Sequence, residues 1–193
     1  WLNQRVDDPK LWKDLVPVAF HVNYWDWIGW QDPFAADAHS QRQRDYKTYG
    51  QINAVYTPGF VVDGQEWRGW FKRGPLPEPQ PKQGKLTAHT EDSKLVARFT
   101  GAAKTDKATT LTLHVALLGF GLKTSVPRGE NADKTLRENF VVLDYQQANS
   151  QTGAWSLALP AAEQRIKAER YGIALWVTQS SQMNPLQVLG GWL

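Results

Sequence analysis

The chain has 193 residues, 41% hydrophobic and 21% charged, with a net charge of +3; these are ordinary proportions for a folded chain with room for one large domain or two small ones. The first 84 residues are electrically neutral and the small basic excess is spread over the rest, so no basic stripe marks a nucleic-acid partner, and no run approaches the roughly 18 apolar residues of a transmembrane helix. Cysteine is absent, which excludes disulfides, a thiolate nucleophile and cysteine-ligated metal within these residues. Trp1 rather than Met opens the chain, as expected after removal of a signal peptide or a longer leader.

Residues 1–15, WLNQRVDDPKLWKDL, predict the tail of a helix, a turn at Pro9 and a short second helical segment, with Leu11, Trp12 and Leu15 on one face. The next stretch, VPVAFHVNYWDWIGWQDPF, begins as an uncharged run in which Val16, Val18, Phe20 and Val22 alternate with Ala19 and His21. Such a run suits a strand covered on both faces, as in an α/β sheet. It breaks into a loop carrying Tyr24, Trp25, Trp27 and Trp30 with Asp26 and Asp32, punctuated by Gly29 and Asp32-Pro33. The end of an α/β strand is where a ligand site is expected, although the same rings could plug a small core.

Asp37 can N-cap a helix that Gly50 stops. It is mostly polar, so only a narrow stripe near Ala38, Tyr46 and Tyr49 is expected to be buried. Arg42 and Arg44 read as a solvated face, with anion binding as the minority reading. In AVYTPGFVVDGQEWRGWF, Asp63-Gly64 between two apolar runs predicts a hairpin whose second strand passes through Trp67 and Trp70. Pro58 at the entrance to the first strand is explained either by a cis Thr57-Pro58 bond or by a trans proline at a tolerated strand start.

Pro75, Pro77, Pro79 and Pro81 then alternate, which rules out a continuous helix and reads as a semi-rigid linker over 72–84. From Lys85 the period becomes two: Leu86/Ala88, Leu95/Ala97/Phe99 and Leu111/Leu113/Val115/Leu117, with further strands around Asn139–Gln146, Trp155–Leu159, Ile173–Thr178 and Leu186–Trp192. Several short strands with turns between them indicate an antiparallel sandwich over 85–193. His89 and His114 fall opposite the leucines and are expected to face solvent. The AAEQRIKAER segment could add one or two helical turns. Gly129 and Asn131 suit a turn, and Glu130 between them is either part of that turn or a site residue.

FHVNYWDWIGWQDPFA, QRQR, VYTPGFVVDG and GENADKTL, in that order, resemble a family of secreted bacterial proteins known as domain of unknown function 1223. The resemblance spans nearly the whole chain. It implies a periplasmic or secreted protein with a thioredoxin-like domain, here 1–71, followed by a β-rich domain. Family members carry a Cys-x-x-Cys-type motif after a first strand, and here both would precede Trp1. That strand would be a central one, so upstream residues or another segment should fill its slot. Thr57 and Pro58 match the family's cis-proline position; without cysteines they can only line a groove.

The fold expected is therefore α+β, an incomplete thioredoxin-like α/β domain followed by an antiparallel β-sandwich. His21, Asp26, Asp32 and His39 are the His/carboxylate collection near the aromatic loop, but His21 sits on a strand and His39 on a helix, so no metal site is expected. No phosphate loop or acyl-transfer motif occurs, and no cofactor is expected. Three readings follow: a relative of thiol–disulfide oxidoreductases whose cysteines lie outside these residues, a non-catalytic peptide-binding or scaffold protein, or an aromatic platform for sugars. The candidate binding residues are His21, Tyr24, Trp25, Asp26, Thr57 and Pro58, and the partner expected is an extended peptide or protein.

Overall fold

The computed structural model describes residues 1–28, 30–81, 83–101, 110–127, 132–161, 166–180 and 182–193. Glu130 with its Gly129–Asn131 turn, Gly29, and part of the AAEQRIKAER segment lie outside the described residues. In chain order the elements are a 3-10 turn at Leu2–Asp7, a second at Asp26–Ile28, helix α1 (Asp37–Thr48), strands β1 (Val61–Val62) and β2 (Gln65–Glu66), and a third 3-10 turn at Gly69–Lys72. Strands β3 (Gly84–Glu91), β4 (Lys94–Gly101), β5 (Leu111–Val126), β6 (Lys134–Ser150), β7 (Ala154–Ala158), β8 (Arg170–Gln179) and β9 (Gln187–Trp192) follow. All described pairings between these strands are antiparallel, in a β1-β2 hairpin, a β3-β4-β7 sheet and a β6-β5-β8-β9 sheet.

Strand β5 organises the molecule because it is buried on both faces from Leu111 to Leu122. Leu111, Leu113 and Val115 on one face meet Leu86, Leu95, Ala97, Phe99 and Trp155 of the three-stranded sheet, together with Leu175 and Val177 of β8. On the other face Ala116, Leu118 and Phe120 join Phe140, Val142, Ala174 and Trp176. That outer face is covered by the first twenty residues, with Leu2, Val6, Leu11, Trp12, Val16, Val18, Ala19 and Phe20 packed against it. Leu11 is buried and the others are half-buried, so each of those contributes only part of the roughly 1.5–3 kcal/mol of a fully buried apolar side chain.

The α+β expectation is overturned, because the chain is predominantly antiparallel β and its described residues show no thioredoxin-type α/β pattern. Val16–Val22 is extended but is not a central strand. Only Ala19 pairs, in an isolated parallel bridge to Val141 on the outer edge of β6, donating to Phe140 O at 2.8 Å and accepting from Val142 N at 3.0 Å. Register shifts in the β5·β6 pairing and a positive φ of 64° at Phe140 bend β6 here, as bulges do. Residues 16–22 are half-buried, packed against the sheet on one side, and an apolar run of this kind can have the composition of a strand inside a sheet, so composition does not tell the two apart.

Other local expectations change for similar reasons. Residues 11–15 form a turn closed by Trp12 N–H to Leu15 O at 2.8 Å rather than a second helical segment. The β2 strand ends at Glu66; Trp67 is buried against Trp1 and Phe60, while Phe71 is exposed. Asp63 and Gly64 have φ of 49° and 83°, which is the two-residue turn that lets β1 and β2 pair so tightly. In α1 the buried residues are His39 and Ser40, and Tyr49 is exposed. His114 lies opposite the leucines yet is buried, because the N-terminal layer and α1 cover that face.

Candidate functional site

A cleft of about 1850 Å³ runs between the N-terminal layer, α1, the β1–β2 hairpin and the proline-rich segment. Its walls are Val16–Val22 on one side and Tyr56–Gly64 with Pro75–Pro79 on another, and Arg42, Gln43 and Tyr46 of α1 and Glu138 and Trp176 of the sheet also line it. Five of the six sequence candidates line this cleft: His21, Trp25, Asp26, Thr57 and Pro58. Tyr24 sits behind the wall, where its hydroxyl donates to Gln43 Oε1 at 3.1 Å. Burial pushes the Tyr24 phenol up, against that hydrogen bond. The Thr57-Pro58 bond is cis, and both residues are exposed.

Helix α1 is the bracket that holds the two walls. Gln43 Nε2 donates to Tyr56 O at 2.5 Å, so one side chain ties the aromatic loop to the segment before Pro58. Ser40 Oγ donates to Asn23 Oδ1 at 2.7 Å and accepts from Asn23 N at 3.1 Å, while Asn23 Nδ2 reaches Asp37 at 2.6 Å. This face of α1 therefore points toward the loop because its partners, Asn23 and Tyr24, are half-buried polar groups that it hydrogen-bonds.

His21, Asp32 and His39 converge, and Asp26 does not join them. His21 Nδ1 lies 2.6 Å from Asp32 Oδ2, and His21 Nε2 lies 4.0 Å from Glu138 Oε1. Burial works against the imidazolium, but the Asp32 hydrogen bond and charge, with Glu138 beyond, outweigh it and raise the His21 pKa. Burial raises the Glu138 pKa, opposed by His21 and by the Thr124 hydroxyl, which donates to Glu138 Oε2 at 3.1 Å. His39 Nδ1 bonds the His21 carbonyl at 3.0 Å, and burial holds its pKa down. Among the described residues no group of three His, Cys, Asp or Glu side chains is arranged to hold a metal.

Two backbone features mark the cleft walls. Val18, Phe20 and Val22 have no hydrogen-bond partner for their backbone groups among the described residues, since Ala19 alone reaches β6. On the hairpin, Val62 pairs with Gln65 and Phe60 O accepts from Trp67 N, leaving the Val61 N–H and C=O on the edge away from β2. Trp25, which lines the cleft, stacks on Trp27 with centroids 6.1 Å apart, and the two are 49% and 78% exposed. That exposure separates them from the core rings.

Glu138, Gln43 and Trp176 escaped the sequence reading, and Arg42 was placed on a solvated face although it is half-buried in the cleft. The QRQR run splits: Arg42 and Gln43 point inward, whereas Gln41 and Arg44 bond each other on the exposed side at 3.1 Å. The spacing of His39, Arg42/Gln43 and Tyr46 puts them on one helix face, and that signal was available. Glu138 carries none, because a lone carboxylate in a strand reads as solvent-facing.

No curated protein matches the chain. A crystal structure of an Agrobacterium tumefaciens protein is similar in fold, with a TM-score of 0.59 and 20% identity over 100% of this chain and 84% of that one. The model for the family described as "Protein of unknown function (DUF1223)" matches residues 1–178, and the chain belongs to that family.

Proposed function

We propose that this chain is a non-catalytic binding module whose cleft receives an extended peptide by backbone pairing. The observation that supports this reading is the pair of open backbone edges, Val18–Val22 and Val61, lining one cleft. These open backbone donors and acceptors can pair with an extended peptide at strand spacing, as in strand-addition complexes. The apolar side chains beside these edges give alternate pockets, and the exposed Trp25–Trp27 pair offers a stacking lip.

The test is calorimetric titration with ten-residue peptides of alternating Val and Thr, alongside the same peptides N-methylated at alternate residues. Binding of the first set and at least tenfold weaker binding of the second is the expected result. Equal affinities, or binding of oligosaccharides alone with loss in Trp27→Ala, would replace backbone pairing with the saccharide-platform reading.

A further inference from the structure

Among the described residues, Arg42 of the cleft is a cation with no carboxylate in an ion pair with it. Arg42 projects from α1 into a cage of four rings, its guanidinium carbon 5.0 Å from the centroid of Phe20, 5.1 Å from Trp176, 5.3 Å from Tyr46 and 5.7 Å from Tyr145. Its Nη1 donates to the Tyr145 hydroxyl at 3.3 Å and its Nη2 to the Tyr46 hydroxyl at 3.2 Å. Both acceptors are neutral, both bonds are long, and a guanidinium has further N–H donors in its planar fork. Among the described residues no carboxylate lies within ion-pair distance of Arg42.

The surroundings keep this charge strong. Arg42 is half-buried with four ring faces around it, and burial with the Arg42 charge holds the neighbouring His114 neutral, so it adds no competing charge. Asp32 and Glu138 of the cleft face His21, and Asp45 of α1, whose charge is felt at Tyr145, accepts from Gln41 Nε2 at 2.8 Å and makes no ion pair with Arg42. An arginine fork presented in a partly dehydrated cage is the arrangement that takes a planar carboxylate by two parallel hydrogen bonds.

We propose that Arg42 is the anion-recognition point of the cleft and takes a carboxylate of the bound peptide, from its C-terminus or from an Asp or Glu side chain. The proposal rests on the peptide-binding reading for the source of the carboxylate, and on the Arg42 cage for the chemistry. It gives the cleft a fixed end, so that backbone pairing along Val18–Val22 starts from a defined register.

The test has two arms. In the first, N-acetylglycine and N-acetylglycinamide are titrated into the wild-type protein while the Arg42 Nε–Hε signal is followed by NMR. The acid should shift that signal saturably and the amide should not. An acid and an amide that behave alike overturn the proposal. In the second, Val/Thr peptides are compared with a free acid or an amide at the C-terminus, and with one internal Glu or Gln.

Loss of the preferred carboxylate should weaken binding about ten- to hundred-fold and identifies its source. Arg42→Gln should erase that difference, and Arg42→Lys should restore part of it. Peptides that bind without regard to either carboxylate leave the cleft reading standing and overturn the role of Arg42. A response to N-acetylglycine without any peptide binding retains the anion site and overturns the peptide reading.

Discussion

Replacing His114 by Gln should remove an acid-sensitive element from the outer face of the sheet. His114 lies nearly parallel to Trp176 and Tyr145, at 5.0 and 6.1 Å with interplanar angles of 3° and 13°, in a triangle of rings whose third side, Tyr145 to Trp176, is 6.0 Å. Its Nδ1 lies 2.6 Å from the Tyr145 hydroxyl and its Nε2 3.0 Å from Thr178 Oγ1. Burial, helped by the Arg42 charge, lowers its pKa from the usual 6.5 to about 3. The folded protein therefore binds this proton less well than the unfolded chain, and stability falls as pH drops below 6.5 toward 3. Integrating between those values gives a loss of about 3 kcal/mol from pH 7 to pH 4 that the variant does not share. At pH 7 the variant should be less stable by about 1–3 kcal/mol, from lost stacking and imperfect hydrogen bonding. Urea unfolding followed by tryptophan fluorescence at pH 7, 6, 5 and 4 should show the two stabilities converging on acidification. A constant offset across that range would refute the reasoning.

The titration of His21 has the opposite sign. Its pKa is raised, so its contribution is complete below 6.5 and fades as pH rises through the folded value; Asp32→Asn keeps an acceptor for Phe34 N–H, 2.9 Å from Asp32 Oδ1, and should flatten the alkaline limb of the stability curve. Unchanged curves for wild type and Asp32→Asn above neutral pH would count against the dyad. Docking of the N-terminal layer is tested by neighbouring glycines. A methyl at Gly190 would lie 2.4 Å from Trp12 Cε3 and 3.0 Å from Val16 Cγ1, whereas one at Gly191 meets nothing within 4 Å. Gly190→Ala should cost about 1–3 kcal/mol and Gly191→Ala little in thermal unfolding; equal effects would mean that Trp12 and Val16 do not lie on the sheet.

The second half of the fold was legible because alternation reports one buried face per strand, and every segment it marks from Leu86 onward holds a strand. What it missed was the other face. Thr112, His114 and Thr178 look like solvent positions in a period-two pattern, yet they are buried and hydrogen-bonded on that face, and farther along the same face of β5 an extra layer arrives from the first twenty residues. The N-terminal 71 residues misled for a related reason. Val16–Val22 and Phe60–Val62 have strand composition, but composition cannot say whether a strand has neighbours. The cleft residues of the loop were readable as rings without a core of their own, while Arg42 needed the knowledge that Phe20, Tyr145 and Trp176 converge on it.

The central claim concerns open backbone edges, and amide hydrogen exchange of the Val18–Val22 segment and Val61 tests it most directly. In the free protein Ala19, bonded to Phe140 O, should be protected while Val18, Phe20, Val22 and Val61 exchange fast. Saturating Val/Thr peptide should slow exchange at the amides of these edges that it pairs. Protection of Val18, Phe20 and Val61 already present in the free protein, or exchange unchanged by a bound peptide, would contradict the account.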